Sequence, residues 1–260
     1  MLGAICGDVI GSVHERAATK TTQFKLFERE CRFTDDTVLT VAVADAIMSD
    51  EDYGTTIHRY ARAYPKSGFG SKFRRWLRDD NPQPYNSWGN GSAMRVSPVG
   101  WIARSAQHAL DEAARSAAPT HGHAEGVKGA QAVAMAIYLA RTGKSKEAIR
   151  DRVAAFTGYD LARTIDGIRP RYRFESTSAL SVPEAIIAFL EAADYEDAVR
   201  LAISLGGDAD TQAAIAGSIA EAFWGEVPPA IVKKVWRYLP TEFIVVIEKF
   251  YERNVRLDSR

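Results

Sequence analysis

Two short acidic segments carry the residue types that bind hard metal ions. Phe33–Thr37 reads FTDDT and Gly206–Thr211 reads GGDADT, and an alanine-rich apolar stretch follows each segment directly. Each segment therefore offers two aspartates and a threonine at the predicted start of a helix. Carboxylate and hydroxyl oxygens suit magnesium, manganese or calcium, whereas a zinc site would use histidine or cysteine. The pattern indicates an all-oxygen site for a divalent metal.

Helix capping is an alternative explanation for each segment taken alone. Asp and Thr are preferred N-cap residues, and the helix dipole favours carboxylates in the first turn by roughly 0.3–1 kcal/mol. One cap does not need a second carboxylate, however, and capping does not explain Gly206 and Gly207, which let the backbone bend closely. An EF-hand is excluded, because Ala213 stands where that loop needs glycine and Ile219 where it needs glutamate. From spacing alone, capping and metal binding both remain open.

The elements that must position these segments are predominantly helices. Apolar residues recur at intervals of three and four in the stretches 37–48, 126–141, 181–193, 196–205, 212–224, 229–239 and 241–255. Alternating strand patterns are scarce. Gly3, Gly7 and Gly11 recur every four residues, which gives a helix a smooth face for close packing, and we prefer this explanation for Gly3. The sequence predicts an all-α fold, a compact orthogonal bundle of many helices.

Two long stretches interrupt the helical pattern. Residues 64–100 are rich in Gly, Pro, Asn and Ser with interspersed aromatics, and residues 157–178 form the second irregular stretch. Loops of this length inside a compact domain are usually either binding loops or poorly ordered segments. No linker, low-complexity tract or repeat divides the chain, so we expect a single domain over residues 1–260.

The composition limits the expected partners and location of the protein. Thirty-three basic and thirty-three acidic residues cancel, so no overall field draws the chain to nucleic acid or to an anionic membrane. The apolar runs are too short to cross a bilayer. Cys6 and Cys31 lack zinc-type spacing and, without a secretion signal, fit a reducing compartment as small buried residues. We therefore expect a cytoplasmic protein without membrane or nucleic-acid partners.

Five segments resemble motifs of the ADP-ribosylglycohydrolases and occur in the same order as in that family. They are GDVIGSVHE (7–15), FTDDT (33–37), SWGNGSAMRVSPVG (87–100), THGH (120–123) and GGDADT (206–211). The family includes the dinitrogenase reductase activating glycohydrolase and the ADP-ribosyl-acceptor hydrolases. The resemblance covers nearly the whole chain. It implies an all-α fold with a dinuclear magnesium centre, sometimes manganese, that cleaves the glycosidic bond between ADP-ribose and a modified protein side chain.

The resemblance also implies a metal-binding and catalytic set. Matching the motifs by position gives six ligands for two Mg²⁺ (or Mn²⁺) ions: Thr34, Asp35, Asp36, Asp208, Asp210 and Thr211. Glu15 corresponds to a glutamate beside the metals and the scissile bond, so the resemblance gives it an acid/base role, with Asp35 and Asp36 also at the catalytic centre. Without the family, Glu15 reads equally well as a surface glutamate after a helix. Asp8 is expected to contact the metal ligands without binding a metal itself.

The central motif and a downstream histidine are expected to bind ADP-ribose. The residues assigned to this role are Ser87, Trp88, Gly89, Asn90, Gly91 and His121. The glycine-containing backbone can approach phosphates, and Ser87 and Asn90 can donate hydrogen bonds to them. Trp88 takes the position of an aromatic that stacks on adenine, although a tryptophan is more commonly a core residue. His123 reads as a structural histidine.

The leading hypothesis is a hydrolase that removes ADP-ribose from mono-ADP-ribosylated protein side chains, with the arginine linkage favoured. Serine-linked, nucleic-acid-linked and small-molecule conjugates of ADP-ribose remain alternatives within this class. A dinuclear-metal phosphohydrolase acting on a nucleotide is a second class, and a non-catalytic ADP-ribose-binding protein is a third. Release of intact ADP-ribose would exclude pyrophosphate cleavage, and binding without turnover would indicate the third class.

Overall fold

A computed structural model of the chain describes residues 1–254, which form fifteen α-helices and one short 3-10 helix. In chain order the α-helices are α1 (Leu2–Gly11), α2 (Asp35–Ser49), α3 (Tyr53–Ala63), α4 (Ser71–Leu77), α5 (Gly91–Met94), α6 (Ser97–Ile102), α7 (Ala106–Ala117), α8 (Ala124–Arg141), α9 (Lys146–Thr157), α10 (Ile165–Ile168), α11 (Ser178–Glu191), α12 (Tyr195–Ile203), α13 (Ala209–Trp224), α14 (Pro229–Val235) and α15 (Thr241–Asn254). Within this part of the chain, β-structure is limited to two isolated bridges. The predicted all-α fold is confirmed.

Each predicted helical stretch overlaps a helix of the structure, with differences at the ends. The stretch 229–239 is α14 followed by the 3-10 helix Trp236–Tyr238, and the stretch 196–205 stops being helical after Ile203. The last predicted helical position, 255, lies outside the described residues. The irregular stretches are partly helical, because 64–100 contains α4, α5 and the start of α6, and 157–178 contains α10.

The packing of α1 against α13 lies at the centre of the fold. Residues 209–222 of α13 are buried, and this helix also packs against α8, α11 and α12. A Cβ atom added to Gly3 would lie 2.2 Å from the carbonyl oxygen of Gly217, and one added to Gly7 would lie 2.2 Å from that of Ala213. No side chain fits between the two backbones at these points. The smooth glycine face predicted from the sequence is confirmed.

The buried carboxylate of Glu221 fixes the position of α1 along the axis of α13. Glu221 of α13 accepts hydrogen bonds from the α-amino group of Met1 at 2.5 Å, from the backbone N–H of Gly3 at 2.8 Å, and from the hydroxyl of Tyr251. Ionic hydrogen bonds of this kind are directional and strong when buried. They hold α1 in a register that brings Asp8 against the start of α2.

The apolar character of the helices and the state of the two cysteines were also predicted from the sequence. Within residues 1–254, no helix combines the length and the apolar character that crossing a membrane requires. Cys6 and Cys31 are buried and unpaired, and burial raises the pKa of both thiols. Both cysteines therefore behave as small core residues, as expected.

Candidate functional site

A cavity of about 420 Å³ opens where the N-terminal ends of α2, α5 and α13 meet. Its lining includes these predicted site residues: Glu15, Asp35, Asp36, Ser87, Trp88, Gly89, Asn90, Gly91, His121, Asp208, Asp210 and Thr211. Thr34 is the predicted site residue that does not line the cavity. Segments far apart in the sequence thus converge on one pocket of a size typical of small-molecule sites.

Capping does not account for the aspartates at the two helix starts. At α2 the cap is Thr34, whose Oγ1 accepts the backbone N–H of Asp36 at 3.3 Å. At α13 the N-cap position is Asp208, but its side chain makes no capping hydrogen bond. The Asp208 carboxylate instead accepts the side-chain amide of Asn90 at 2.8 Å. Asp210 accepts the backbone N–H of Thr211 at 3.0 Å, but within residues 1–254 no capping hydrogen bond is formed by the carboxylates of Asp35, Asp36 and Asp208, so capping does not explain those three residues.

Asp8 holds the start of α2 in place from the α1 side. Its carboxylate accepts the backbone N–H groups of Thr34 and Thr37 at 2.9 and 3.1 Å. It also accepts the Thr34 hydroxyl at 2.7 Å and the Thr37 hydroxyl. Asp8 is fully buried. It stabilises the backbone that carries the next two aspartates, which agrees with the supporting position expected for it.

The buried carboxylates of Asp8, Asp36 and Asp210 form a tight cluster. One oxygen atom from each lies within 4.8 Å of the others. Oδ2 of Asp36 receives the hydroxyls of Thr34 and Thr211 at 3.3 and 3.4 Å, whereas its buried Oδ1 has no hydrogen-bond partner among residues 1–254. Burying a carboxylate oxygen without a partner is costly. A set of carboxylate and hydroxyl oxygens with an orphaned acceptor fits a hard divalent cation.

The pKa shifts of the clustered carboxyl groups also fit a bound cation. Burial, followed by the charge of Asp210, raises the pKa of Asp8 to about 7 and raises the pKa values of Asp35, Asp36 and Asp208 well above their ordinary range. Burial raises the pKa of Asp210 as well. These shifts arise because several desolvated negative charges share a small volume. A positive charge among them would relieve the repulsion.

Glu15 lies in the turn after α1 and lines the same cavity. Its side chain is partly buried, so it is more than a surface glutamate at the end of a helix. Burial, and then the charge of Asp210, raises the pKa of Glu15 above its ordinary value. A carboxyl group of this kind, beside the cluster and open to the cavity, can exchange a proton with a reacting group.

The loop that contains Trp88 is held from both sides by short backbone pairings. Asn86 pairs with His121, and Gly89 pairs with Thr177. On the second side, the Asn90 N–H donates to the carbonyl of residue 176 at 2.9 Å, and the N–H of residue 178 donates to the Trp88 carbonyl at 2.9 Å. These pairings join the irregular stretches 64–100 and 157–178 into one wall of the cavity.

The side chains of this loop differ in how they are engaged. Trp88 is 49% exposed and lines the cavity, so it is not a core residue. The Lys72 ammonium lies 3.9 Å from the centroid of its ring. Ser87 Oγ accepts the N–H of Gly89 at 3.1 Å. The amide of Asn90 is directed to Asp208, so it joins the loop to the carboxylates, an engagement that the sequence did not indicate.

The two histidines of THGH are placed differently. His121 is buried at the cavity wall, and its Nδ1 lies 2.7 Å from Oγ1 of Thr120. Burial, followed by the positive charge of Arg95, holds the pKa of His121 well below its ordinary value. His123 is the N-cap of α8 and accepts the N–H of Glu125 on Nδ1 at 3.1 Å. His123 therefore has the structural role that the sequence suggested.

Several cavity residues were not singled out from the sequence. Arg95 and Lys72 are cations in the lining, and Tyr85 and Phe174 are aromatics there. Arg95 belongs to the SWGNGSAMR segment, so its motif was a signal, but nothing in the local pattern indicated that its charge would be wholly buried. Lys72 and Phe174 lie in or beside irregular stretches, where periodicity gives no information on side-chain direction.

Known proteins similar to this chain act on ADP-ribose conjugates according to their names. The chain is 28% identical to "ADP-ribosylarginine hydrolase Tri1" of Pseudomonas putida (strain GB-1), over 90% of this chain and 72% of that protein. It is 27% identical to "ADP-ribosylhydrolase ARH3" of Mus musculus, over 86% of this chain and 82% of that protein.

The fold and the whole-chain sequence pattern agree with these similarities. A solved structure named "ADP-ribosylglycohydrolase-related protein complex" superposes with a TM-score of 0.69 at 26% identity, covering 98% of this chain and 97% of that chain. The family model for ADP-ribosylglycohydrolase matches residues 1–257. The match extends over all five motifs and over the helices that carry the cavity. The chain belongs to the ADP-ribosylglycohydrolase family.

Proposed function

We propose that this protein removes ADP-ribose from mono-ADP-ribosylated protein side chains by hydrolysing the glycosidic bond at the anomeric carbon of the distal ribose. Family membership indicates a hydrolase of ADP-ribose conjugates. The observation that carries the finer proposal is the joining, in one cavity, of a buried carboxylate cluster with the Ser87–Gly91 loop. The first suits a ribose held by cations, and the second suits a nucleoside diphosphate.

Two divalent cations, Mg²⁺ or Mn²⁺, are proposed at the cluster. The proposed ligands are Thr34, Asp35, Asp36, Asp208, Asp210 and Thr211, with Asp8 supporting the α2 ligands through Thr34 and Thr37. The unpartnered oxygen of Asp36 and the mutual repulsion of the carboxylates support this assignment. When bound, such cations supply Lewis-acid polarisation of the ribose hydroxyls and of water.

The residues around the cluster take complementary roles in the proposed reaction. Bond cleavage passes through an oxocarbenium-like state, which nearby carboxylates stabilise. Glu15 exchanges the proton of the attacking water or the leaving group, as its raised pKa and its position in the cavity lining allow. The backbone of Gly89 and Gly91 approaches the pyrophosphate, and adenine stacks on the ring of Trp88, which is 49% exposed.

The arginine linkage is proposed first because a relative at 28% identity is named an ADP-ribosylarginine hydrolase. The test is release of ADP-ribose from arginine-linked and serine-linked ADP-ribosyl peptides, each with Mg²⁺ and with EDTA. We expect Mg²⁺-dependent release from the arginine-linked peptide. Release from the serine-linked peptide alone would correct the linkage and keep the reaction.

Product identity separates the remaining alternatives. Intact ADP-ribose in the product supports glycosidic cleavage, whereas AMP would indicate a phosphohydrolase. Binding of ADP-ribose without turnover of either peptide would indicate a non-catalytic role. Asp208→Asn should abolish turnover while far-UV circular dichroism stays unchanged, and near-wild-type activity of that variant would overturn the metal-dependent proposal.

A further inference from the structure

Arg95 carries a positive charge that no carboxylate of the described chain neutralises. Its side chain is fully buried at the cavity wall, and burial lowers its pKa to about 10. One nitrogen, Nη2, donates to the carbonyl of Ser116 at 3.0 Å and to Oγ1 of Thr120 at 2.9 Å. The other two, Nε and Nη1, have no partner among residues 1–254. A buried guanidinium can donate but cannot accept, so it dictates the direction of the hydrogen bonds it makes.

Arg95 fixes which atom donates in the hydrogen bond to Thr120, and Thr120 in turn fixes which atom donates in its contact with His121. Thr120 is fully buried. Within the described chain, the hydrogen-bond partners of its Oγ1 are Nη2 of Arg95 and Nδ1 of His121, and there are no others. Because Arg95 must be the donor in the first contact, the hydroxyl proton of Thr120 has Nδ1 as its acceptor, 2.7 Å away. A protonated Nδ1 would leave the hydroxyl proton buried without an acceptor, which is unfavourable. Nδ1 therefore carries a lone pair, and the ring proton of neutral His121 is on Nε2.

The Nε2 edge of His121 faces the loop that lines the cavity. A Cβ atom placed on Gly91 would lie 3.2 Å from Nε2, and one placed on Gly89 would lie 3.8 Å from it. Both positions are glycine, so the ring edge has open space toward the loop. Within residues 1–254, no hydrogen bond to Nε2 is formed. The Nε2 proton is thus available to a ligand that approaches the backbone of this loop.

We propose that Arg95 and Thr120 are positioning residues that hold His121 as the neutral tautomer protonated on Nε2, so that it donates a hydrogen bond to a phosphate or hydroxyl oxygen of the ligand in the cavity. The identity of that ligand as an ADP-ribose group rests on the proposed function; the tautomer does not. Two features of the surroundings agree with a neutral donor. Burial and the charge of Arg95 both disfavour a second proton on the ring. The tautomer assigned by the Thr120 contact leaves Nε2–H as the only donor that the ring offers.

The tautomer can be measured directly by nitrogen-15 NMR of the histidine rings, with His121→Gln used to identify the signals of His121. We expect wild-type protein at neutral pH to show an unprotonated Nδ1 and a protonated Nε2. Thr120→Val removes the hydroxyl with little change in shape, and we expect a mixture of the two tautomers. Thr120→Ser keeps the hydroxyl and should keep the wild-type pattern. Thr157→Val removes another buried hydroxyl, which donates to the Val153 carbonyl outside the cavity, and should change nothing at His121.

Calorimetry with ADP-ribose measures the consequence for binding. We expect Thr120→Val to weaken the affinity about tenfold, as expected for a misdirected hydrogen bond, and Thr120→Ser and Thr157→Val to bind as wild type does. A protonated Nδ1 or an imidazolium in the wild-type spectrum would overturn the proposal without any variant. Unchanged tautomer and unchanged affinity in Thr120→Val would also overturn it. If wild-type protein bound no ADP-ribose, the proposed function would fail, whereas the NMR result on the tautomer would still stand or fall by itself.

Discussion

The carboxylates of the cluster are arranged at the expense of the stability of the metal-free protein, which agrees with the proposed cation site. Asp36 illustrates this at the scale of one residue, because one of its oxygens is buried without a partner and its pKa is raised by burial and by Asp210. A carboxyl group whose folded-state pKa is raised in this way lowers stability at neutral pH, because it ionises freely in the unfolded state and not in the folded one. Replacing this carboxylate should therefore stabilise the metal-free protein and weaken the proposed metal site.

Asp36→Asn is expected to raise the free energy of unfolding of the metal-free protein by roughly 1–3 kcal/mol. The amide removes one negative charge, and its N–H group can donate to the oxygens of Asp8 or Asp210. The variant should also lose the stabilisation by Mg²⁺ that the proposed metal site predicts for the wild-type protein. Thermal melts in EDTA and in Mg²⁺ measure both effects. Asp50→Asn, an exposed residue just past the C-terminal end of the same helix, is the matched control and should change little. A less stable Asp36→Asn protein that still responds to Mg²⁺ would contradict this.

Because His121 is buried beside Arg95, the free energy of unfolding should fall as the pH is lowered. Burial and Arg95 lower its pKa in the folded state, while the unfolded chain titrates near the ordinary value of 6.5. Below that value the unfolded state binds a proton that the folded state does not, so stability falls as the pH falls. Relative to His121→Gln, wild-type protein should lose up to about 1.4 kcal/mol per pH unit as the pH is lowered through this range.

Urea unfolding of both proteins between about pH 7 and about pH 5 measures the difference, and the other titrating groups cancel because both proteins carry them. A difference that stays constant over the range would show that the pKa of His121 is the same in the folded and unfolded states, and would contradict this prediction. A difference of the opposite sign would contradict the assignment of Arg95 as an unfavourable neighbour of the ring.

At the scale of elements, the contact between α1 and α13 sets the position of the carboxylates. A Cβ atom on Gly11 would lie 2.6 Å from the carbonyl oxygen of Ala209 and 2.6 Å from Cα of Asp210. The end of α1 therefore touches the backbone that carries a proposed ligand. Asp8, one turn earlier on α1, holds the start of α2 through Thr34 and Thr37. The two acidic helix starts are positioned by the same glycine-faced helix.

Gly11→Ala should destabilise the protein by about 1–3 kcal/mol or more, because overpacking forces α1 away from α13. It should also weaken the stabilisation that the proposed site predicts for added Mg²⁺, since Asp210 moves with the backbone. Gly70→Ala is the matched control, because a Cβ atom there meets nothing within 4 Å and the φ angle of −62° suits alanine. Thermal melts with and without Mg²⁺ compare the two variants. Equal stability of Gly11→Ala and Gly70→Ala would contradict the close approach described here.

At the scale of the molecule, the cavity depends on segments from most of the chain. The cluster joins α1, α2 and α13, and the Ser87–Gly91 loop is tied both to the segment before α8 and to the segment before α11. The buried apolar side chains form one continuous cluster from Met1 to Phe250. We propose on this basis that residues 1–260 form a single domain.

A single domain should unfold in one cooperative transition. The five tryptophans lie between Trp76 and Trp236. We expect their fluorescence and the far-UV circular dichroism to change together in urea, with the same midpoint. Separate midpoints for the two signals would indicate that parts of the chain unfold independently, and would contradict the proposal.

The amino-acid sequence alone was enough to predict seven helical stretches and the residue types of the site, whereas α3, α7 and α9 lie outside those stretches. Periodic apolar residues in α2, α8, α11 and α13 specify a helix locally, because every third or fourth side chain must face the core. The paired aspartates at the starts of α2 and α13 left hard-metal binding and helix capping both open, because oxygen donors are a property of residue type and need no tertiary information. The ordered motifs indicated the family.

Which of these groups come into contact, and which hydrogen bonds each one makes, follows from the packing of distant segments. Thr211 and Asp36 lie 175 positions apart in the sequence, yet their side chains are in contact. That the cap at α2 is Thr34, that Asn90 binds Asp208, and that Arg95 is wholly buried all depend on long-range packing. A local pattern constrains the conformation of neighbours in sequence, whereas burial and the direction of a hydrogen bond are set by whichever distant segment packs beside the residue.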